Sequence, residues 1–123
     1  MNSKIQTYWE ERAKENYNGI TTTTNDIHLR NLEVYTLIDT ICQIKSKNTT
    51  KLLDIGCGDG RSTLDIAAQF PDCYVTGIDF SGTMVEIAKN NLESKNGLKD
   101  RVNFFVGDVT EIDASIGDEK YDI

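Results

Sequence analysis

An α/β fold built on a parallel sheet is what these 123 residues predict, on three observations. Short apolar runs recur at Leu52 to Ile55, Tyr74 to Ile78 and Val102 to Val106, segments of helical spacing separate them, and turn residues close each run. Strand and helix in alternation is the pattern of right-handed crossovers between parallel strands. A single proline, Pro71, and the lack of any repeat or Ser/Gly linker mark no internal boundary, so one domain is expected.

The elements follow in order. Ile5 to Tyr17 carries Tyr8, Trp9, Ala13 and Tyr17 at loosely helical spacing and reads as a short amphipathic helix. A polar stretch, Asn18 to Thr24, precedes Asn25 or Asp26, either of which can cap a longer helix. Its apolar positions Ile27, Val34, Leu37, Ile38, Ile41 and Ile44 are expected to bury one face. Ser46 to Thr50 is a polar loop. From Lys51 the period changes, and Leu52, Leu53 and Ile55 read as a strand buried on both faces. Arg61 to Phe70 follows as a helix with Leu64, Ala67 and Ala68 at i, i+3 and i+4 and Pro71 as its stop. Tyr74 to Ile78 is the second strand. Ser81 or Thr83 caps the next helix, which carries Met84, Ile87, Ala88 and Leu92, with Glu86 completing a capping box on Thr83. Gly97 stops it. Val102 to Val106 is the third strand, Thr110 to Lys120 an acidic loop or weak helix, and Tyr121 to Ile123 begins a fourth strand.

Charge narrows the partners. With 13 Lys and Arg against 20 Asp and Glu the net charge is −7, and no basic patch offsets it, so neither nucleic acid nor an anionic membrane is an expected partner. Met1 to Gly19 carries Glu10, Glu11 and Glu15 and lacks the basic-then-apolar order of a signal peptide. Cys42, Cys57 and Cys73 show no close pairing motif and are expected as reduced thiols in a cytoplasmic protein, with no metal bound.

Parallel sheets bind ligands beyond the carboxyl ends of their strands, so the residues just after each strand carry the chemistry. The first strand leads into Asp54-Ile55-Gly56-Cys57-Gly58-Asp59-Gly60, whose alternating glycines allow a tight turn and close approach of a ligand to the backbone. The second ends at Asp79, 25 residues after Asp54, where an ionised carboxylate can accept from ribose hydroxyls. The third ends in Gly107-Asp108-Val109, and an acid there can accept from an adenine amino group. The loop departs from the dinucleotide fingerprint GxGxxG because Arg61 stands where the last glycine belongs. Asp54 and Asp59 also surround it with negative charge, which suits a cationic ligand better than a pyrophosphate.

Taken together these segments resemble the N-terminal part of a class I S-adenosylmethionine-dependent methyltransferase. Leu53 to Gly60 is similar to that family's first motif, Gly77-Ile78-Asp79-Phe80-Ser81 to its second and Phe105-Val106-Gly107-Asp108-Val109 to its third. The resemblance implies a Rossmann-like sheet, here strands one to four of a seven-stranded methyltransferase fold, with residues 1–50 as an N-terminal helical cap and 51–123 as the cofactor-binding core. It implies S-adenosylmethionine as cofactor and Asp54, Gly56, Cys57, Gly58, Asp79, Phe80, Asp108 and Val109 as its contacts. Among these, Asp54, Gly56 and Gly58 would line the methionyl part, Asp79 would hold the ribose, Phe80 would pack on adenine, and Asp108 with the Val109 amide would meet the adenine edge. Tyr8-Trp9-Glu10-Glu11-Arg12 is similar to the N-terminal lids of small-molecule members, although aromatics on a short helix more commonly pack on the body of the domain.

Methyl transfer to a small-molecule acceptor is therefore the expected reaction, with no catalytic residue assigned. The alternatives are a non-catalytic cofactor-binding module that needs a partner chain, and an NAD-dependent oxidoreductase. A chain that stops at the start of its fourth strand is expected to be part of a longer enzyme or to be completed by another chain, and an apolar edge at that strand predicts a homo-oligomer. Asp79→Ala is expected to cost cofactor affinity rather than fold. His28 is expected in a surface or capping role, and Asp113, Asp118 and Glu119 as a solvated acidic loop.

Overall fold

The computed structural model describes residues 3–15, 26–112 and 116–123. Seven regular elements and one 3-10 turn follow the predicted order: helix α1 (Ser3–Glu15), helix α2 (Ile27–Ile44), strand β1 (Lys51–Ile55), helix α3 (Arg61–Gln69), strand β2 (Tyr74–Asp79), helix α4 (Gly82–Glu93), strand β3 (Val102–Val106) and the 3-10 turn Val109–Glu111. Tyr17, the Asn18 to Thr24 stretch, Asn25 and Asp113 lie outside the described residues. Among those described, no helix is long and apolar enough to cross a membrane.

The three strands are parallel in the order β1-β2-β3, with Leu52 beside Val75 and Val75 beside Val102. Successive side chains in a strand point to opposite faces. Leu52, Val75, Val102 and Phe104 are buried on the side where α3 and α4 pack. The alternate set is not. Lys51, Tyr74 and Asn103 are exposed, Ile55 is 51% and Phe105 48% exposed, and of that set the central Ile78 is buried. The expectation of a first strand buried on both faces is thus corrected, because the crossover helices lie on one side of the sheet.

Helix α2 departs from expectation in the same way. Asp26 caps it, accepting from the Leu29 amide at 2.9 Å. Only Val34 and Ile41 are buried, with Ile38 packed beside the core, a stripe at i, i+4 and i+7 consistent with its packing on α3. Ile27, Leu37 and Ile44 are exposed, so the broad apolar face does not close against the domain. At α4, Ser81 is the cap, its hydroxyl accepting from the Met84 amide. Thr83 is used elsewhere, as described below.

Main-chain groups at the amino ends of the strands are tied to residues distant in sequence. The Arg101 guanidinium donates to the carbonyls of Ala67, Phe70 and Cys73 at 2.8 to 3.1 Å, satisfying the end of α3 and the turn after it. Residues 121–123 do not form a regular strand, yet they lie along β1, with the Leu53 amide donating to the Ile123 carbonyl at 2.9 Å and the Asp122 amide to Lys51 at 2.8 Å. The Asp122 carboxylate accepts from the amides of Thr50 and Lys51, and Asp72 pairs with Lys45 at 2.7 Å.

Candidate functional site

At the opposite rim the chain turns from each strand through residues that leave space. Gly56, Gly58 and Gly60 all have positive φ. Gly60 combines a φ of +76° with contact: a Cβ there would stand 2.7 Å from the Phe104 ring and 2.8 Å from Ala88. Gly77 on β2 is restricted by the same ring, 2.7 Å from where its Cβ would be. Phe104 therefore packs beneath the loop only because both positions lack side chains. From α4, Asn91 donates to the Asp59 carbonyl at 2.9 Å and steadies the loop further.

This arrangement opens two adjoining cavities. One, of about 310 Å³, is lined by Trp9, Gly56, Gly58, Asp79, Phe80 and Met84. The other, of about 130 Å³, is lined by Ile55, Gly56, Ile78, Asp79, Phe80, Gly107 and Val109. Gly56, Asp79 and Phe80 border both. The walls are largely apolar, with one carboxylate between them, the composition of a small-molecule site.

Asp79 is held by the protein before any ligand arrives. Its two oxygens accept from the amides of Gly58 and Ser81, each at 2.9 Å. Burial pushes its carboxyl above the usual range, those two amides oppose the rise, and the charge of Glu10 adds to it. The expectation that Asp79→Ala would spare the fold is revised, since removal orphans two buried amides. An ionised carboxylate offers about four acceptor sites, so acceptor capacity remains.

Asp54 lies at the end of β1, where the Thr63 hydroxyl of α3 donates to it at 2.6 Å. Burial raises its pKa as well, against the Thr63 bond and reinforced by the Asp79 charge. Asp59 adds negative charge at the loop, where it contributes to raising the Cys57 pKa, and is partly balanced by Arg61: it accepts from the Arg61 amide at 3.1 Å and faces the Arg61 Nε at 3.5 Å.

Of the predicted contacts, Gly56, Gly58, Asp79, Phe80 and Val109 border the cavities. Asp54 borders neither cavity. The Cys57 side chain belongs to the hydrophobic core, and burial pushes its thiol pKa up, so the structure gives it a packing role. Asp108 is beside the smaller cavity as the cap of the 3-10 turn, its Oδ1 accepting from the Thr110 amide at 2.8 Å and hydroxyl at 2.7 Å. Those bonds hold its carboxyl below the usual range.

Sequence reasoning did not nominate Met84 or Thr63, which sit within otherwise ordinary helical patterns. Trp9, readable as lid or as packing, packs with Ala13, Met84 and Ile87 and lines the larger cavity. Tyr8 meets it edge-on at a ring separation of 5.2 Å and remains exposed.

Comparison with known proteins adds to this geometry. Residues 46–123 match the model of a family described as a methyltransferase domain. The malonyl-[acyl-carrier protein] O-methyltransferase of Bacillus anthracis is 30% identical over 90 residues, covering 72% of this chain and 30% of that protein. The trans-aconitate 2-methyltransferase of Methylobacterium radiotolerans is 52% identical over 40 residues, covering 32% of this chain and 15% of that one. Among solved structures, a SAM-dependent methyltransferase from Geobacter sulfurreducens in complex with S-adenosyl-L-homocysteine superposes with a TM-score of 0.55 at 29% identity, covering 73% of this chain and 33% of that one. The chain spans about a third or less of the length of these relatives.

Proposed function

The chain belongs to the class I S-adenosylmethionine-dependent methyltransferase family, and from that premise we propose that its paired cavities hold S-adenosylmethionine and that the protein methylates a small-molecule acceptor. The carrying observation is Asp79: a buried carboxylate, fixed by two backbone amides, bordering both cavities between Gly56 and Phe80. Its spare acceptor sites suit the two ribose hydroxyls. Phe80 and Val109 offer apolar surface for adenine, while Gly56 and Gly58 let the methionyl portion approach the backbone.

When bound, this cofactor supplies a methyl group already activated on a cationic sulfur. The chain's own residues have correspondingly little chemistry to perform. Asp54 is half-buried and Asp79 buried, their charges repel each other, and a cation nearby relieves that repulsion. Trp9, Phe80 and Met84 exclude water from the cavity, which strengthens those electrostatic contacts. The loop is packed on Phe104 and tied down by Asn91, which favours one orientation of the ligand, and orientation is the main requirement of an in-line transfer.

A small acceptor is favoured by the net charge of −7, which opposes nucleic acid, and by the relative named for trans-aconitate. Free Cys42, Cys57 and Cys73 fit a reducing, cytoplasmic setting. Calorimetric titration with S-adenosylmethionine, S-adenosylhomocysteine and NAD tests the cofactor reading. The first two are expected to bind and NAD to fail, and binding of NAD alone overturns the assignment.

A further inference from the structure

Helix α1 is joined to the site by one polar contact and one apolar cluster. The Thr83 hydroxyl, in the first turn of α4, donates to Glu10 Oε2 at 2.6 Å across 73 residues of sequence. One residue earlier, Trp9 packs with Ala13, Met84 and Ile87 and forms part of the wall of the larger cavity. Ala13 is fully buried, so α1 lies directly on α4. A carboxylate at the amino end of a helix also gains from its dipole.

We propose that Glu10 is a positioning residue for cofactor binding: seated on the first turn of α4, its carboxylate holds α1 down so that Trp9 roofs the cavity above Gly56, Gly58 and Asp79. This rests on the cofactor reading given above. The geometry assigns each part a task. Thr83 is the latch, since it donates to Glu10 and is not needed as the α4 cap, a place taken by Ser81. Met84 and Ile87 are the seat on which Trp9 and Ala13 rest. The same contact ties α1 to the ribose-binding position, because Ser81, which caps α4, also donates its amide to Asp79. Burial raises the Glu10 pKa, but hydrogen bonds from Ser81 and Thr83 outweigh it and leave the carboxyl below its ordinary value, so the latch is ionised at neutral pH.

Trp9 is the chain's only tryptophan, so its fluorescence reads the roof directly. In the full chain, acrylamide quenching of Trp9 without ligand reports whether α1 is seated, and S-adenosylhomocysteine titration reports binding. Glu10→Ala and Thr83→Val are each expected to increase quenching and to weaken S-adenosylhomocysteine roughly ten- to a hundredfold, as loss of a hydrogen bond to a charged group implies. The double variant is expected to be no weaker than either single one. Glu10→Gln keeps an acceptor for the Thr83 hydroxyl and is expected to recover most of the affinity. Parent-like affinity and quenching in Glu10→Ala would overturn the proposal while leaving the cofactor reading intact. A folded parent that shows no binding would overturn both, whatever the quenching.

Discussion

Asp72 and Asp122 at the amino ends of the strands, and Asp54 and Asp79 at the carboxyl ends, are the same residue type in opposite electrostatic conditions. The Lys45 ammonium beside Asp72 and the Thr50 and Lys51 amides on Asp122 hold those carboxyls below the usual range. Burial holds the other two above it. The amino rim is also where Arg101 satisfies three carbonyls, whereas the carboxyl rim carries the positive-φ glycines and the two cavities. One end of the sheet completes its own hydrogen bonds to stabilise the chain. The other keeps acceptor capacity and space in reserve for a ligand, at some cost in stability.

The largest expected effect breaks the comparison at the loop itself. Gly60→Val places a branched side chain at a φ of +76° and against Phe104 and Ala88. Backbone strain and overpacking together should remove roughly 3–5 kcal/mol, read as a fall in Tm or loss of the folded state in urea. Near-normal stability would mean that the loop is free to move off Phe104. Asp79→Ala comes next, and it should lose on both counts: about 2–4 kcal/mol of stability from two orphaned amides, and S-adenosylhomocysteine affinity by roughly a hundredfold. A loss confined to stability would remove Asp79 from the binding site.

Arg101→Met sharpens the contrast from the other rim. Its expected cost is about 2–3 kcal/mol by urea denaturation, with cofactor affinity in the folded protein unchanged. A parallel loss of affinity would show that the two ends are coupled through the sheet.

The smallest effect is a separation in pH. Asp72 and Asp122 stabilise the fold when ionised, a contribution complete above the ordinary aspartate value near 4 and lost as pH falls through their lower folded values. Asp54 and Asp79 bind protons more tightly in the fold, so the stability they contribute is present below that ordinary value and is lost as pH rises through their raised ones. Acidification from neutrality should therefore protonate the carboxyl rim first. Affinity for cationic S-adenosylmethionine, followed by calorimetry, is expected to decline before the melting temperature does, and the reverse order would contradict the assignment of charge to the two rims.

Local pattern by itself determined a good part of this protein. The βαβαβ order, the glycine loop after the first strand and the acids at 54, 79 and 108 follow from periodicity and spacing, because strand and helix repeat at different intervals and strand ends are where parallel sheets present loops. Val102–Val106 matches its expected bounds, and Asp26 and Ser81 each cap the helix assigned to them. What only the tertiary structure decided concerns partners far apart in the chain. Thr83 looked like half of a capping box with Glu86, but α1 lies on α4 and brings Glu10 to it. Cys57 shares a loop with two cavity-lining glycines and nevertheless turns into the core, and Asp59 is paired with Arg61. Helix α2 and the strands offered more apolar surface than α3 and α4 cover, which no period along the sequence can reveal. Burial and long-range hydrogen bonds depend on which elements meet, and they set the ionisation of Asp54 and Asp79 and the place of Trp9 over the cavity.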